Sequence, residues 1–355
     1  MIDKNIIDNY LNSKKQKLGS RFMLILLLSI SNIAGALNLP ISEDLTQKFG
    51  ISQLDVANLN KGEIVFFNVA EAESDEKELA IGAIMYLPEK PTKVISLIKV
   101  KGWLSIDNEV LSEGIISPQA MLDDFKNFSF HSGSDEANLF LETAPGSQFN
   151  LSTQEFETIH QVDFTITDAA SQAYQKILLK RWQDYRKNGL KGIAPYDRGN
   201  GAEANPESEL LIATKSNKVL PLYFPELYNA WINYPAALPV GAEETFMWRN
   251  RQVEGRPTAI LLHRIMLSTS AGELILSRQF YAGHSYNSNQ LTIACLPYHD
   301  GSLIFYGNRT FTDQVAGLGS SLKHSIGLEQ SKAEISKVLK KLEQVLKKND
   351  YSGNN

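Results

Sequence analysis

The stretch from Arg256 to Phe311 constrains the fold of this 355-residue chain more than any other. Its apolar and β-branched residues form four runs separated by turn residues, which is the pattern of strands joined by hairpins. The lysine-rich segment 330–348 follows, and its apolar residues recur every three or four positions. The chain is therefore predicted to be α+β, with a curved antiparallel β-sheet packed against a long C-terminal helix and an N-terminal α+β part.

Alternation along three of these runs predicts which side chains share a face, because successive side chains of a strand point to opposite sides. The mainly apolar sets are Leu274, Leu276, Arg278 and Phe280; Leu291, Ile293 and Cys295; and Leu303, Phe305, Gly307 and Arg309. We expect all three sets to face one interior. The opposite positions are more polar, which is typical of an antiparallel sheet with one wet face.

Two arginines, Arg278 and Arg309, fall on the predicted apolar side, and His263 joins them. A buried guanidinium needs a partner or access to water. Two explanations remain open: a cavity in which the arginines bind the acidic or polar head of a ligand, or pairing with structural carboxylates. Counting strands places the two arginines two strands apart, on the order of 10 Å.

The start of the terminal helix, predicted from Thr312, is rich in small residues that leave room for a ligand. The turn around His284 and Tyr286 adds polar and aromatic groups, and His284 is a candidate general base. The candidate ligand-binding residues are Arg278, Arg309, Phe280, Phe305, Gly317, Gly319, His263, His284 and Tyr286.

Further elements are predicted from periodicity and from residues that begin and end helices. The predicted helices are 42–50, 91–100, one beginning at Ser117, one beginning after Asp168 and one over 226–232. The predicted strands outside the central block are 63–70, 79–87, 139–142 and 158–165. The Gly- and Pro-rich segment 189–208, which contains Arg198, is predicted to be a surface loop, a lid or a linker.

The N-terminus predicts export. Basic residues at Lys14, Lys15, Lys17 and Arg21 precede the short apolar run 22–30, and small residues follow at Ala34 and Ala36. This order is typical of a cleaved signal peptide, with cleavage after Ala36. Cys295 is the only cysteine, so no internal disulfide forms, and export without disulfides indicates a periplasmic or secreted protein.

Several functions are disfavoured. The net charge is −5 and no segment combines clustered Lys and Arg with stacking aromatics, which argues against nucleic acid. The six histidines lack metal-ligand spacing, so no metal and no cofactor are expected. The segment 283–287 approaches the nucleophile-elbow pattern, but Asn287 replaces the final glycine and the segment lies between two strands.

The order of four meandering strands and a long terminal helix over 244–348 resembles the START-like, helix-grip superfamily of lipid and hydrophobic-ligand carriers. That resemblance implies a curved sheet that wraps a C-terminal helix around a cavity. The predicted organisation is a signal peptide at 1–36, an N-terminal α+β region at 37–166, a helix, sheet and C-terminal helix at 167–348, and a disordered tail at 349–355.

Three functions are weighed. The favoured one is an exported carrier that binds a lipid or other hydrophobic small molecule, with transient contact to a membrane surface. The second is a hydrolase or isomerase that uses His284 with Tyr286 or Ser285. The third is an interaction module of the cell envelope without a ligand. The absence of a strong catalytic motif favours binding over catalysis.

Overall fold

The computed structural model describes residues 42–67, 69, 75–101, 109–130, 135–163, 166 and 168–352. The predicted signal peptide and its cleavage site lie outside these residues. The helices are α1 (Ser42–Phe49), α2 (Gln53–Leu59), α3 (Pro91–Lys101), α4 (Asp135–Leu141), α5 (Thr153–Ile159), α6 (Ala169–Asn188), α7 (Pro206–Lys215), α8 (Val219–Tyr223), α9 (Pro225–Ile232) and α10 (Ser320–Ser352). Short 3₁₀ helices lie at Leu122–Phe125, Gly189–Gly192 and Asp313–Val315.

Eight strands form one sheet, and every strand pair in it is antiparallel. The strands are β1 (Val65–Phe67), β2 (Glu78–Leu87), β3 (Val110–Ile116), β6 (Glu243–Val253), β7 (Arg256–Thr269), β8 (Gly272–Ala282), β9 (Ser288–Tyr298) and β10 (Gly301–Phe311). Their order is β1-β2-β10-β9-β8-β7-β6-β3. A separate hairpin consists of β4 (Tyr196–Gly199) and β5 (Ala202–Ala204).

The predicted α+β class, with its antiparallel sheet and long C-terminal helix, is confirmed. The four strands of the central block are β7 to β10, and they pair in chain order. The predicted hairpin of 63–70 and 79–87 is confirmed as β1 and β2. Strand β2 then pairs with β10, so the two regions predicted from the sequence share one sheet.

Both faces of the sheet are covered, which the sequence did not predict. Face A carries Leu276 and Phe305. Helix α6 covers it near β6 to β8, and α1, α2, α8 and α9 cover the part of the face that contains Leu276 and Phe305. Face B, which carries Ile275 and Ile293, is covered by α3 and by Leu339 and its neighbours on α10. The prediction of one wet face is therefore wrong.

One strand was also assigned to the wrong face. Leu276 pairs with Thr292, and Leu274 pairs with Ala294. Gln290, Thr292 and Ala294 therefore lie on face A with the arginines, whereas the predicted set Leu291, Ile293 and Cys295 lies on face B. Because β9 is buried on both sides, its more apolar set of side chains need not share a face with the apolar sets of β8 and β10.

Other elements were predicted with mixed success. Helix α6 is confirmed, and Tyr174, Trp182 and Tyr185 are buried on it as its periodicity predicts. The helices at 42–50, 91–100 and 226–232 are confirmed as α1, α3 and α9. The strand predicted at 139–142 is wrong because the end of α4 lies there, and the described start of the strand predicted at 158–165 is the end of α5. The helix predicted from Ser117 is only the short 3₁₀ helix.

The terminal helix begins later than predicted. The backbone between the last 3₁₀ helix and α10 has φ of +75° at both Gly317 and Gly319, a left-handed conformation that suits glycine. A helix beginning at Thr312 is therefore wrong, and the two glycines lie in a turn that leads into Ser320. Helix α10 runs on to Ser352, past the start of the tail predicted at 349–355.

Candidate functional site

Polar residues form a row across face A. His263 pairs with Arg278, Arg278 with Gln290, and Gln290 with Arg309, on strands β7 to β10. All four residues are buried, and Arg278 is fully so. The strand count that placed the arginines two strands apart is confirmed. Because a sheet interior is normally apolar, each member of this row needs a compensating contact.

Arg309 obtains that compensation from the protein itself. Its guanidinium bonds to the Glu78 carboxylate and to the carbonyl oxygen of Val69, and Nη2 lies 3.3 Å from the Ser216 carbonyl oxygen. Of the two explanations for a buried arginine, pairing with a structural carboxylate therefore applies to Arg309. Through these contacts Arg309 links β10 to β2, to the segment after β1 and to the end of α7.

Arg278 is compensated differently. Its Nη1 donates to the Tyr185 hydroxyl at 3.0 Å, and its Nη2 donates to Thr214 Oγ1 at 3.2 Å and to the Trp231 carbonyl at 3.4 Å. The guanidinium carbon lies 4.1 Å from the centre of the Trp231 ring, within the range of a cation–π interaction. No carboxylate among the described residues forms an ion pair with it.

His263 lies next to Arg278 with a defined tautomer. The Tyr185 hydroxyl accepts from Arg278 and lies 3.0 Å from His263 Nδ1, so it donates its own proton to that nitrogen. The ring proton is therefore on Nε2, which lies 3.1 Å from Glu244 Oε1. Burial lowers the pKa of His263 to about 4, so the ring is neutral at neutral pH.

A cleft lies on face A next to this row. Gly82 and Gly307 are direct cross-strand neighbours; the Phe67 and Val69 side chains fill the space over Gly82, whereas the space over Gly307 stays open. A Cβ on Gly307 would meet only the Thr292 carbonyl oxygen, at 4.0 Å. The resulting cavity has a volume of about 40 Å³, and about 460 Å³ when its open mouth is included. A volume of 40 Å³ has room for about three water molecules.

The cleft has an aromatic side and a polar side. Phe49 from α1, Phe67 from β1 and Phe305 from β10 supply the aromatic side. The lining residues with polar groups are Ser216, Asn217, Lys218, Gln290, Thr292 and Arg309. This combination of apolar wall and few polar groups is typical of a small-molecule site.

Gln290 is the unusual member of the lining. Its Oε1 accepts from Thr214 Oγ1 at 2.8 Å and from Trp231 Nε1 at 3.0 Å, which orients the amide. Among the described residues its Nε2 has no hydrogen-bond partner, although Gln290 is only 2% exposed. An unpaired buried donor costs about 1–3 kcal/mol, so an acceptor brought to this position would be favourable.

The structure brings only some of the predicted site residues together. Arg309 and Phe305 line the cleft, and Arg278 and His263 lie further along the same row. Phe280 instead stacks on Tyr185 at 4.1 Å within the core under α6. Gly317 and Gly319 lie in the turn before α10, which covers face B. They therefore do not share a cavity with the arginines.

His284 and Tyr286 belong to a second polar region, at the turn between β8 and β9. The loop predicted at 189–208 docks there through Arg198 of the β4–β5 hairpin. Arg198 donates to Asn150 Oδ1 at 2.8 Å, to Asn287 Oδ1 at 2.9 Å and to Asp313 Oδ2 at 2.8 Å. The segment is thus an ordered connection, not a linker.

A buried carboxylate supports this turn from the other side. Glu209 of α7 accepts from Asn287 Nδ2 at 2.9 Å and from Ser288 Oγ at 2.7 Å. Burial raises the pKa of Glu209 above its ordinary value, and these hydrogen bonds oppose the rise. The turn is therefore held by side chains from the β4–β5 hairpin and from α7.

Most of the lining residues were not predicted, among them Gln290, Lys218, Phe49 and Phe67. Gln290 would have been found if β9 had been placed in the correct register, because it then stands opposite both arginines. Phe49 and Phe67 are far from β10 in sequence, and no local pattern marks them as its neighbours.

Two structural tests bear on the type of site. Across the described ranges, no three His, Cys, Asp or Glu side chains are grouped so as to hold a metal ion. Within the same part of the chain, no helix has the length and hydrophobicity needed to cross a membrane. A comparison with protein-family models found no match, and a comparison with curated proteins found none at a significant level.

Proposed function

We propose that the protein binds a small amphiphilic molecule, with an apolar body and an anionic head, in the cleft over Gly307. The observation that carries the proposal is the unpaired amide of Gln290. Its oxygen is held by two donors, so its Nε2 is fixed in place and can donate to an oxygen of the ligand head.

Charge favours an anionic head. Arg309 lines the cleft, but its charge is paired with that of Glu78. Lys218 adds a second cation at the rim. Lys218 is exposed, and none of the described residues forms a hydrogen bond or ion pair with it. A carboxylate or phosphate group between Lys218 and Gln290 would pair with the Lys218 ammonium and accept a hydrogen bond from Gln290 Nε2.

Size and shape favour an apolar body that is only partly enclosed. The cavity volume of about 40 Å³ accommodates a head group but not an acyl chain, and the rings of Phe49, Phe67 and Phe305 form the apolar wall beside it. The chain of the ligand would lie against these rings. Together with the predicted export and the START-like resemblance, this favours a periplasmic carrier of a lipid-like ligand, with the head held in the cleft.

Binding of straight-chain carboxylates tests the proposal. Isothermal titration of the full chain with butanoate, octanoate and decanoate is expected to give affinity that rises with chain length, and octanol is expected to bind more weakly than octanoate. Gly307→Val places three carbon atoms in the cleft, where the first of them, the Cβ, meets no described atom closer than 4.0 Å. It is expected to abolish binding while the protein stays folded.

Matched lysine variants isolate the role of the charge. Lys218→Ala is expected to weaken octanoate binding up to about fivefold, the effect of an exposed ion pair. Lys215→Ala, an exposed lysine outside the cleft lining, is expected to leave it unchanged. If wild type and Gly307→Val bind octanoate equally, or if wild type binds none of the three acids, the proposal is wrong.

A further inference from the structure

Ser285 occupies an unusual position in the turn between β8 and β9. Its φ is +69°, a left-handed conformation that is uncommon for a residue with a side chain. Its carbonyl oxygen accepts from Thr312 Oγ1 at 2.8 Å, and the nearby Gly283 amide donates to the Ala259 carbonyl at 2.7 Å. The backbone is thereby held, and the residue remains partly exposed to solvent.

The neighbouring His284 is buried, and its hydrogen bonds define its tautomer. Nε2 lies 3.0 Å from the carbonyl oxygen of Pro257, which can only accept, so Nε2 carries the ring proton. The Thr258 hydroxyl lies 2.9 Å from the same nitrogen and 3.3 Å from the Arg256 carbonyl, to which it donates. Nδ1 of the neutral ring is therefore unprotonated.

The free lone pair of Nδ1 faces the serine hydroxyl. Ser285 Oγ lies 2.8 Å from His284 Nδ1, so the hydroxyl donates to the imidazole. Glu136 Oε1 lies 3.8 Å from Nε2 on the other side of the ring, and it is paired with Arg256 at 2.8 Å. Burial and the charge of Arg256 lower the pKa of His284, which keeps the ring neutral and able to accept a proton.

Tyr286 does not take part in this arrangement. Its hydroxyl donates to Gln279 Oε1 on β8, not to the histidine. Of the two partners that the sequence suggested for His284, the structure therefore pairs the histidine with Ser285. The order serine, imidazole and ring-orienting acceptor is the one that activates a serine nucleophile.

We propose that Ser285 is a nucleophile with His284 as its general base, and that the turn hydrolyses small acyl esters that approach from solvent. Ser285 Oγ bonds to the ester carbonyl carbon while His284 Nδ1 takes the hydroxyl proton. The carbon–oxygen bond to the alcohol then breaks, and Nδ1 returns the proton to the departing alkoxide. Water attacks the acyl-serine in the same way, releasing a carboxylic acid and the free serine.

Labelling with a fluorophosphonate tests this directly, because the reagent phosphonylates activated serines. The purified full chain is incubated with the reagent, and the adduct is located by peptide mass mapping. We expect one equivalent of label on Ser285. Mapping of the wild type requires no variant, so the test holds even where a substitution prevents folding.

Variants then distinguish activation of Ser285 by His284 from simple exposure of the serine to the reagent. Ser285→Gly keeps the left-handed backbone, which glycine adopts readily, and is expected to abolish labelling. His284→Phe keeps an aromatic ring and removes the base, so the rate of labelling at Ser285 is expected to fall at least about 100-fold. Ser277→Ala, at a partly exposed serine of β8, is expected to label like wild type.

Two results would overturn the proposal: a wild type in which the reagent does not modify Ser285, or a folded His284→Phe variant that is labelled as fast as wild type. Gly307→Val is expected to label normally, because the cleft and the Ser285 turn share no lining residue. Loss of ligand binding and loss of labelling therefore report on different sites.

Discussion

Truncation of Leu339 on α10 tests how the sheet is covered. The side chain is 0% exposed and packs with Ile293 and Ile304 on face B. Leu339→Ala removes three carbon atoms, which costs about 2.4 kcal/mol of transfer free energy at roughly 0.8 kcal/mol each, before any cavity term. A buried Leu→Ala change typically costs about 2–5 kcal/mol in total, so we expect the free energy of unfolding to fall by about 3 kcal/mol.

Leu322→Ala on the same helix is the matched control. Leu322 is 67% exposed, and leucine and alanine both favour helix, so its truncation is expected to change stability by less than about 0.5 kcal/mol. Urea denaturation followed by circular dichroism gives both values, with similar slopes for the two variants. A loss below about 1 kcal/mol for Leu339→Ala would mean that α10 does not cover face B, and would reopen the idea of a cavity beneath the terminal helix.

Three further predictions concern single residues. The pKa of His263 is about 4 in the folded protein against an ordinary value of 6.5, so the stability that depends on its neutral ring is fully present above pH 6.5 and is lost as the pH falls to 4. The difference in unfolding free energy between wild type and His263→Gln should therefore shrink by about 3 kcal/mol over that range. Urea denaturation at several pH values measures it. Burial raises the pKa of the Cys295 thiol to about 12, so Ellman's reagent should react with it only after unfolding. Gly189→Ala should prevent stable folding, because its Cβ would lie 1.8 Å from the Tyr234 carbonyl oxygen. The control Gly201→Ala has a similar positive φ but no described neighbour within 4 Å, so it should lower the free energy of unfolding by only about 1–2 kcal/mol. Thermal melts compare the two variants.

Each of these has a clear contrary outcome. A constant difference between wild type and His263→Gln from pH 7 to pH 4 would show that the histidine does not titrate as a buried neutral ring. Rapid reaction of native Cys295 would mean that β9 is not covered on face B. Equal stability of the two glycine variants would contradict the close approach of Tyr234 to Gly189.

The sequence predicted the elements whose signal is local. Helix α6 was predicted because Tyr174, Trp182 and Tyr185 recur at helical spacing, and β7 to β10 were predicted because turns separate short apolar runs. The pairing of β1 with β2 followed for the same reason. In each case the residues that carry the signal lie within one element or on two consecutive ones.

The candidate cleft could be predicted only in part. Phe305 and Arg309 were identified, because an arginine on an apolar strand face is unusual in itself. Gln290 was missed, because β9 is buried on both faces and its more apolar side, which alternation identifies, is face B. The small residues Gly317 and Gly319 were placed in a helix, whereas positive φ angles place them in a turn.

The amino-acid sequence by itself determined the α+β class, the meander of β7 to β10 and the long amphipathic C-terminal helix, because hydrophobic periodicity is a property of neighbouring residues. Only the tertiary structure decided that β2 pairs with β10, more than 200 residues away, and that helices cover both faces of the sheet. The first of these places Gly82 beside Gly307, and the register of β9 on β10 places the unpaired amide of Gln290 beside Arg309. Strand register and face depend on contacts between distant segments, and no local pattern encodes them.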